Sequence, residues 1–351
     1  MPFAPCADPE AWIAATATRL WGRDKVSAIV PLKGDASSRR FWRVNLIASA
    51  TPPSAVAIDL GPDDLPLYAR ALRLIPEPLS EPPWLNLHRF LSRIGAAVPE
   101  IFAADHGARM LLVEDVGSTA LFDAALQGDA ADLYRLAADE LLRFHIEGTR
   151  LLDNSCLANG VAYDRLLFRW ELEQFIEAAI AEVAPGADRV ALGGELDQLA
   201  VRLDRFGRVF SHRDFHGHNL FVQTSDDGAP RLRVIDFQDA LMAPAAQDLA
   251  VLLTTRDAER IITPTIERRV LDYYYAALMR LNAPHLSFED FQTSYRLCVL
   301  QHAVKMVGRF IVLDRGGKDG YRAYVPYALA QARRMLAQTE EFPVLRAALA
   351  V

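Results

Sequence analysis

Residues 211–222 read SHRDFHGHNLFV and place three of the chain's eight histidines, an arginine and an aspartate within eight positions. Two chemistries compete for this stretch. His212, His216 and His218 offer a metal nest, whereas Asp214 and Asn219 offer a catalytic loop. Zinc histidines usually stand on a helix or rigid strand at recurring spacings. Here Arg213, always cationic, lies inside the cluster and no cysteine is near. A plainer alternative leaves the histidines merely capping a turn.

The catalytic reading uses more of the residues. His212-Arg213-Asp214 followed by Asn219 is H-R-D-x-x-x-x-N, the spacing of a kinase catalytic loop. Seventeen residues beyond Asn219, after the apolar run RLRV, stands Asp236 in Ile235-Asp236-Phe237. An aspartate at a strand end facing a loop asparagine can hold Mg²⁺, leaving Asp214 to take a hydroxyl proton from an acceptor. Phosphoryl transfer needs little more from side chains than positioning and charge neutralisation.

The flanking sequence supplies a matching frame. Residues 8–22 read as a helix, after which the period shortens. VSAIVPLKGD, RRFWRVNLI and SAVAIDL are runs rich in β-branched and aromatic residues, broken by Gly34-Asp35 and Thr51-Pro52-Pro53. They read as three antiparallel strands. A helical stretch interrupted at PEPLSEPPW follows over about 65–95, and then strands Ile101–Asp105 and Met110–Glu114. Beyond Gly117 the pattern is mainly helical, apart from RVF and RLRVIDF in 209–238. The expectation is an α+β fold of two lobes with a cleft between them. Residues 1–117 form a small antiparallel β-sheet lobe for nucleotide, and residues 118–351 form a larger helical lobe carrying the catalytic loop and acceptor site.

Bulk properties narrow the partners. The chain has 351 residues and a formal charge of -7, so no positive field collects nucleic acid or anionic lipid. Three scattered cysteines fit neither a zinc spacing nor a disulfide framework. No apolar run is long enough to span a bilayer. A soluble cytoplasmic protein with a small-molecule partner is expected. Only four residues are lysines: Lys25, Lys33, Lys305 and Lys318.

That scarcity matters in the third strand. Val56-Ala57-Ile58-Asp59 stands where a protein kinase has Val-Ala-Ile-Lys, and an aspartate facing the triphosphate would repel it. Either another cation substitutes, from Lys33, Arg39, Arg40 and Arg43, or the protein is a pseudokinase. The intact Asp214, Asn219 and Asp236 favour substitution. The small residues Gly34, Ala36, Ser37 and Ser38 in the first turn would let backbone N–H groups approach phosphates.

With His212-Arg213-Asp214…Asn219, Ile235-Asp236-Phe237 and Asp248-Leu249-Ala250, the chain resembles the aminoglycoside phosphotransferase family. The resemblance implies a two-lobed, protein kinase-like α+β fold, ATP and Mg²⁺ as cofactors, Asp214 as catalytic base, Asn219 and Asp236 as metal ligands, and His212 as a brace. It also implies that Leu111–Gly117 runs into an adenine-binding hinge at Glu114 and Val116. Within the family the chain looks most like bacterial anomeric kinases of N-acetylmuramate and N-acetylglucosamine, which act in cell-wall recycling. That likeness rests on Gly34-Asp35-Ala36-Ser37 with Arg39, Arg40 and Arg43, on Tyr163-Asp164…Arg169…Glu171, on Gln238-Asp239, and on Lys305…Gly308. By position Gln238 and Asp239, just past Asp236, and Asp35 from above would meet such an acceptor, as would Arg169, Glu171 and Gln174 on one helix and Lys305 and Arg309 on a later one, with a solvated helix face or an intralobe salt bridge as the alternative for the last two groups. A kinase of another small molecule, or a nucleotide-binding pseudokinase, remains the alternative.

Overall fold

The computed structural model describes residues 6–33, 39–61, 65, 67–75, 79–225 and 228–350. Its first part is a five-stranded antiparallel sheet in the order β1-β2-β3-β5-β4. The strands are β1 (Val26–Leu32), β2 (Arg40–Leu46), β3 (Ser54–Asp59), β4 (Ile101–Asp105) and β5 (Met110–Glu114). Successive side chains alternate between faces, and the sequence sorts them accordingly. Trp42, Val44, Ala55, Ala57, Met110 and Leu112 turn to one side, where they pack on Ile13 and Ala17 of the helix Pro9–Trp21. Each fully buried side chain of isoleucine size stabilises this layer by about 1.5–3 kcal/mol. Phe41, Val56, Ile58, Leu111 and Val113 turn the other way, toward the rest of the molecule.

The second part is helical, as its 3.6-residue periodicity predicts. Its centre is the long helix Phe288–Arg315, whose Leu297, Val299, Leu300, Val304, Val307 and Ile311 are buried. Ser287 begins it by accepting the Asp290 N–H, and Asp164 begins the helix Arg165–Gln174 by accepting the Leu167 N–H at 3.0 Å. At Gly308 a Cβ would lie 2.6 Å from the Phe175 nitrogen. Only glycine permits this approach, which presses the long helix against the end of Arg165–Gln174.

Two small sheets hold the segment 208–244. One pairs β6 (Arg208–Ser211) with β9 (Leu241–Pro244), and the other pairs β7 (Leu220–Thr224) with β8 (Pro230–Val234). The motif 212–219 spans the gap from β6 to β7, and Asp236 follows β8. β7 and β9 go beyond the two runs read from sequence. Both are short, and β9 owes its strand form to pairing with β6, thirty or so residues away, which local pattern does not encode. The expected helix over 65–95 is divided into Leu67–Ala71 and Pro83–Arg93. Its proline-rich break falls partly on residues 76–78, outside the described residues. The whole is the expected two-lobed, kinase-like α+β fold.

Candidate active site

A cavity of about 740 Å³ lies between the sheet face carrying Phe41, Val56, Ile58 and Val113 and the helical part. Its floor is the loop quoted above. Asp248, fully buried, accepts the His212 N–H at 2.9 Å and the Arg213 N–H at 2.8 Å. Burial pushes the Asp248 carboxyl up, but His145 and the His212 side more than offset this, so it lies below the ordinary range. The loop is thus clamped by a charged acceptor. His212 Nε2 lies 3.0 Å from the Ile235 carbonyl, and the Asp214 N–H points to Nδ1 at 3.3 Å. A proton on Nε2 satisfies both contacts, so His212 braces the loop from beneath the cavity.

Asp214 and Asn219 face the cavity. The Asn219 amide donates through Nδ2 to the Asp214 carbonyl at 2.9 Å, which leaves its oxygen as an acceptor. The Ile235 N–H donates to the Asn219 carbonyl at 3.0 Å, so the β7–β8 register sets Asn219 beside the Asp236 turn. Arg213 and Asp236 have φ of 77° and 65°. Such left-handed backbone in non-glycine residues costs of order 1–3 kcal/mol each and is held by the surrounding bonds. The turn at Asp236 presents its carboxylate to the cavity. No carboxylate or amide of the protein bonds the Asp214 carboxylate among the described residues.

An asparagine oxygen and an aspartate carboxylate suit a hard divalent cation. Burial pushes the Asp236 carboxyl up, but the Arg39 guanidinium and the Gln238 amide outweigh it and hold the group below the ordinary carboxylate range. The histidines diverge. His216 lies 3.4 Å from Asn219 Nδ2, and burial drives its imidazole well below its usual value. His218 stacks on Phe122 with centroids 4.6 Å apart. Among the described residues, no group of three or more His, Cys, Asp or Glu could hold a metal.

The cations of the first hairpin separate by face. Asp59 belongs to the side packed on Pro9–Trp21, where it is 2 % exposed, pairs with Arg40 at 2.6 Å and accepts the Gly61 N–H. It therefore faces away from the cavity, and the anticipated repulsion is corrected by strand alternation. Ile58 occupies the cavity-facing position instead. Arg40 leaves the cavity with Asp59. Arg43 faces it but is neutralised by Asp115 at 2.7 Å. Arg39 crosses to Asp236 Oδ1 at 2.5 Å and Gln238 Oε1 at 2.8 Å, while Lys33 lies exposed at the cavity edge. Gly34, Asp35, Ala36, Ser37 and Ser38 lie outside the described residues. Val116 and Glu114 line the cavity after β5, with the Glu114 carboxylate paired to Arg233 at 2.9 Å.

On the opposite wall, Glu171 is 3 % exposed and binds Arg213 Nη2 at 2.8 Å, Lys305 Nζ at 2.9 Å and the Tyr163 hydroxyl. Burial opposes its charge, yet Lys305 and Arg213 lower its carboxyl to about 2. Asp239 lies 3.2 Å from Arg213 Nη1, and burial raises its carboxyl to about 6 despite that cation. Gln238 is tied to Asp236 at 3.1 Å. Arg169 departs from its expected place. It pairs with Asp197 at 2.6 Å and with Glu173, and it is absent from the cavity wall. Two steps along a helix turn a side chain by about 200°, so Glu171 and Arg169 point apart.

Several wall residues were not read from sequence. Tyr68 lies under Arg213, its ring centroid 4.0 Å from the guanidinium carbon. Trp170, Arg256 and His302 complete the wall. His302 could have been found from Lys305, because 302, 305, 306, 309 and 313 follow one helical face. Tyr68 and Arg256 carry no local motif.

The model of the family described as "APH: Phosphotransferase enzyme family" matches residues 28–283. An N-acetylmuramate/N-acetylglucosamine kinase of Caulobacter vibrioides is 31% identical over 328 residues, covering 84% of each chain. One of Pseudomonas aeruginosa is 28% identical, covering 87% of this chain and 83% of the relative. Among solved structures, a choline kinase from Cryptosporidium parvum superimposes with a TM-score of 0.65 at 14% identity, covering 97% and 100% of the two chains. A wild-type aminoglycoside 2'-phosphotransferase-IIIa gives 0.57 at 14%, covering 94% and 99%. The chain belongs to the APH phosphotransferase enzyme family and is by class a small-molecule kinase.

Proposed function

We propose that this enzyme transfers the γ-phosphoryl group of ATP, with Mg²⁺, to the anomeric hydroxyl of N-acetylmuramate or N-acetylglucosamine, in the cytoplasm and in the service of cell-wall recycling. The observation that carries the reading is the Asp214 carboxylate. It lines the cavity together with Asn219, Asp236, Glu171, Asp239 and Lys305, and no hydrogen bond or ion pair to it is formed among the described residues. Among the described residues, Asp236, Glu171, Asp239 and Asp248 are each held in an ion pair or a backbone clamp, which leaves Asp214 as the group available to accept a proton. The kinship with amino-sugar kinases at up to 31% identity supports the acceptor class. Residues 1–117 then serve the nucleotide and residues 118–351 the acceptor. No described helix is long and apolar enough to cross a membrane.

In this reading the acceptor oxygen attacks the γ-phosphorus in line. The bond to the β,γ-bridging oxygen breaks, ADP departs, and the hydroxyl proton passes to Asp214. Mg²⁺ held by Asn219 and Asp236 would neutralise developing phosphate charge. Arg39, bound to Asp236 in this structure, would supply the cation that the third strand lacks once Mg²⁺ takes the Asp236 carboxylate, and Arg213 holds Asp239 and Glu171 in register with the loop. A coupled assay of ADP release with both sugars, choline and aminoglycosides tests the proposal. Release with choline or an aminoglycoside but neither sugar refutes the acceptor. Stabilisation by ATP in a thermal shift, without ADP release for any acceptor, establishes a pseudokinase instead.

A further inference from the structure

The acceptor end of the cavity holds four cations, and their partners differ. Arg213 bonds both Glu171 and Asp239. Lys305 lies 2.9 Å from the other Glu171 oxygen. Arg256 stands over the rings of Tyr321 and Tyr324, 5.8 Å from each centroid. Arg309 has no carboxylate, hydrogen-bond or aromatic partner among the described residues, although it is only partly exposed and lines the cavity.

Its position is well fixed. Arg309 follows Lys305 by one turn on the cavity face of Phe288–Arg315, about 6 Å along the axis. Gly308, its neighbour, packs against the backbone of Gln174 and Phe175, so the helix cannot slide there. Trp170, Met306 and Leu313 form the surrounding wall. A guanidinium in such a wall presents a planar fork of donors, and its charge is less screened than on open surface. The matching ligand group is a planar anion with two oxygens. The two sugars named for the related kinases differ in this respect: N-acetylmuramate carries a lactyl ether ending in a carboxylate, and N-acetylglucosamine carries no charge.

We propose that Arg309 receives the carboxylate of the acidic acceptor, N-acetylmuramate, and so sets the preference between the charged and the neutral sugar. Lys305, by contrast, is already bound to Glu171 at 2.9 Å. The inference rests on the acceptor class proposed above and adds to it the residue that distinguishes its two members.

The test is the ratio of kcat/KM for N-acetylmuramate to that for N-acetylglucosamine, in the wild-type enzyme and in Arg309→Gln, Arg309→Lys and Arg256→Gln. A charge-assisted hydrogen-bonded pair predicts that Arg309→Gln lowers this ratio about 10- to 100-fold, and that Arg309→Lys restores part of it. A ratio that stays constant in Arg309→Gln, through loss of neither sugar or of both equally, overturns the assignment. So does a selective loss that appears in Arg256→Gln and not in Arg309→Gln. A wild-type enzyme that phosphorylates choline or an aminoglycoside and neither sugar overturns the proposed function itself, and this inference with it.

Discussion

Replacing Glu171 with glutamine removes one negative charge and almost no volume from a site that is 3 % exposed. The carboxylate serves two cations, Arg213 at 2.8 Å and Lys305 at 2.9 Å. A carboxyl lowered from 4.5 to about 2 favours its ionised form in the fold, which converts to about 3 kcal/mol of stability at neutral pH. Removal of one member from a buried ion pair costs about 3–5 kcal/mol, so the two routes agree. The pH dependence has a definite sign. Because the folded-state value is depressed, the contribution is complete well above 4.5 and is lost as pH falls toward 2. Urea denaturation of wild type and Glu171→Gln should differ by about 3 kcal/mol at pH 7 and by only about 1 kcal/mol at pH 3. A difference below 1 kcal/mol at pH 7, or one that does not shrink in acid, would refute the view that Glu171 is held ionised by its two cations. Loss of turnover in the same variant is expected from freeing Arg213, whose backbone belongs to the loop that carries Asp214.

Asp214→Asn should lower kcat by roughly 10²–10⁴ while leaving nucleotide binding in place, checked by steady-state kinetics beside a nucleotide titration; near-normal turnover removes Asp214 from the role of base. Asp236→Ala should abolish the Mg²⁺ dependence of nucleotide binding, read by titration with and without the metal; an unaltered titration removes Asp236 as a ligand. Gly308→Ala should destabilise the fold by about 1–3 kcal/mol in thermal or urea denaturation, because its Cβ meets the Phe175 nitrogen at 2.6 Å; an unchanged midpoint would mean that the helix can withdraw.

Much of this was legible along the chain because the relevant signals are local. Short runs rich in β-branched and aromatic residues between turn signals mark β1 to β5, five to seven residues each, and the spacing of Asp214, Asn219 and Asp236 is a property of one short loop and one strand end. What misled was a motif read without its face. Val56-Ala57-Ile58-Asp59 matches a kinase strand by letters, yet the pleat sends Asp59 to the helix side and Ile58 to the cavity. Arg169 erred similarly, since proximity to Glu171 in sequence is the wrong half of a helical turn.

By itself the amino-acid sequence determined most of the helices and strands, the two-lobed fold and the place of the loop that carries Asp214, because hydrophobic period and motif spacing act over a few residues. Only the tertiary structure decided which cations are spent and which remain. Arg40 and Asp59, Arg43 and Asp115, Arg39 and Asp236, and Lys305 and Glu171 lie 19 to 197 residues apart. Coulomb attraction depends on distance and burial in space, quantities that folding creates and that no spacing along the chain contains.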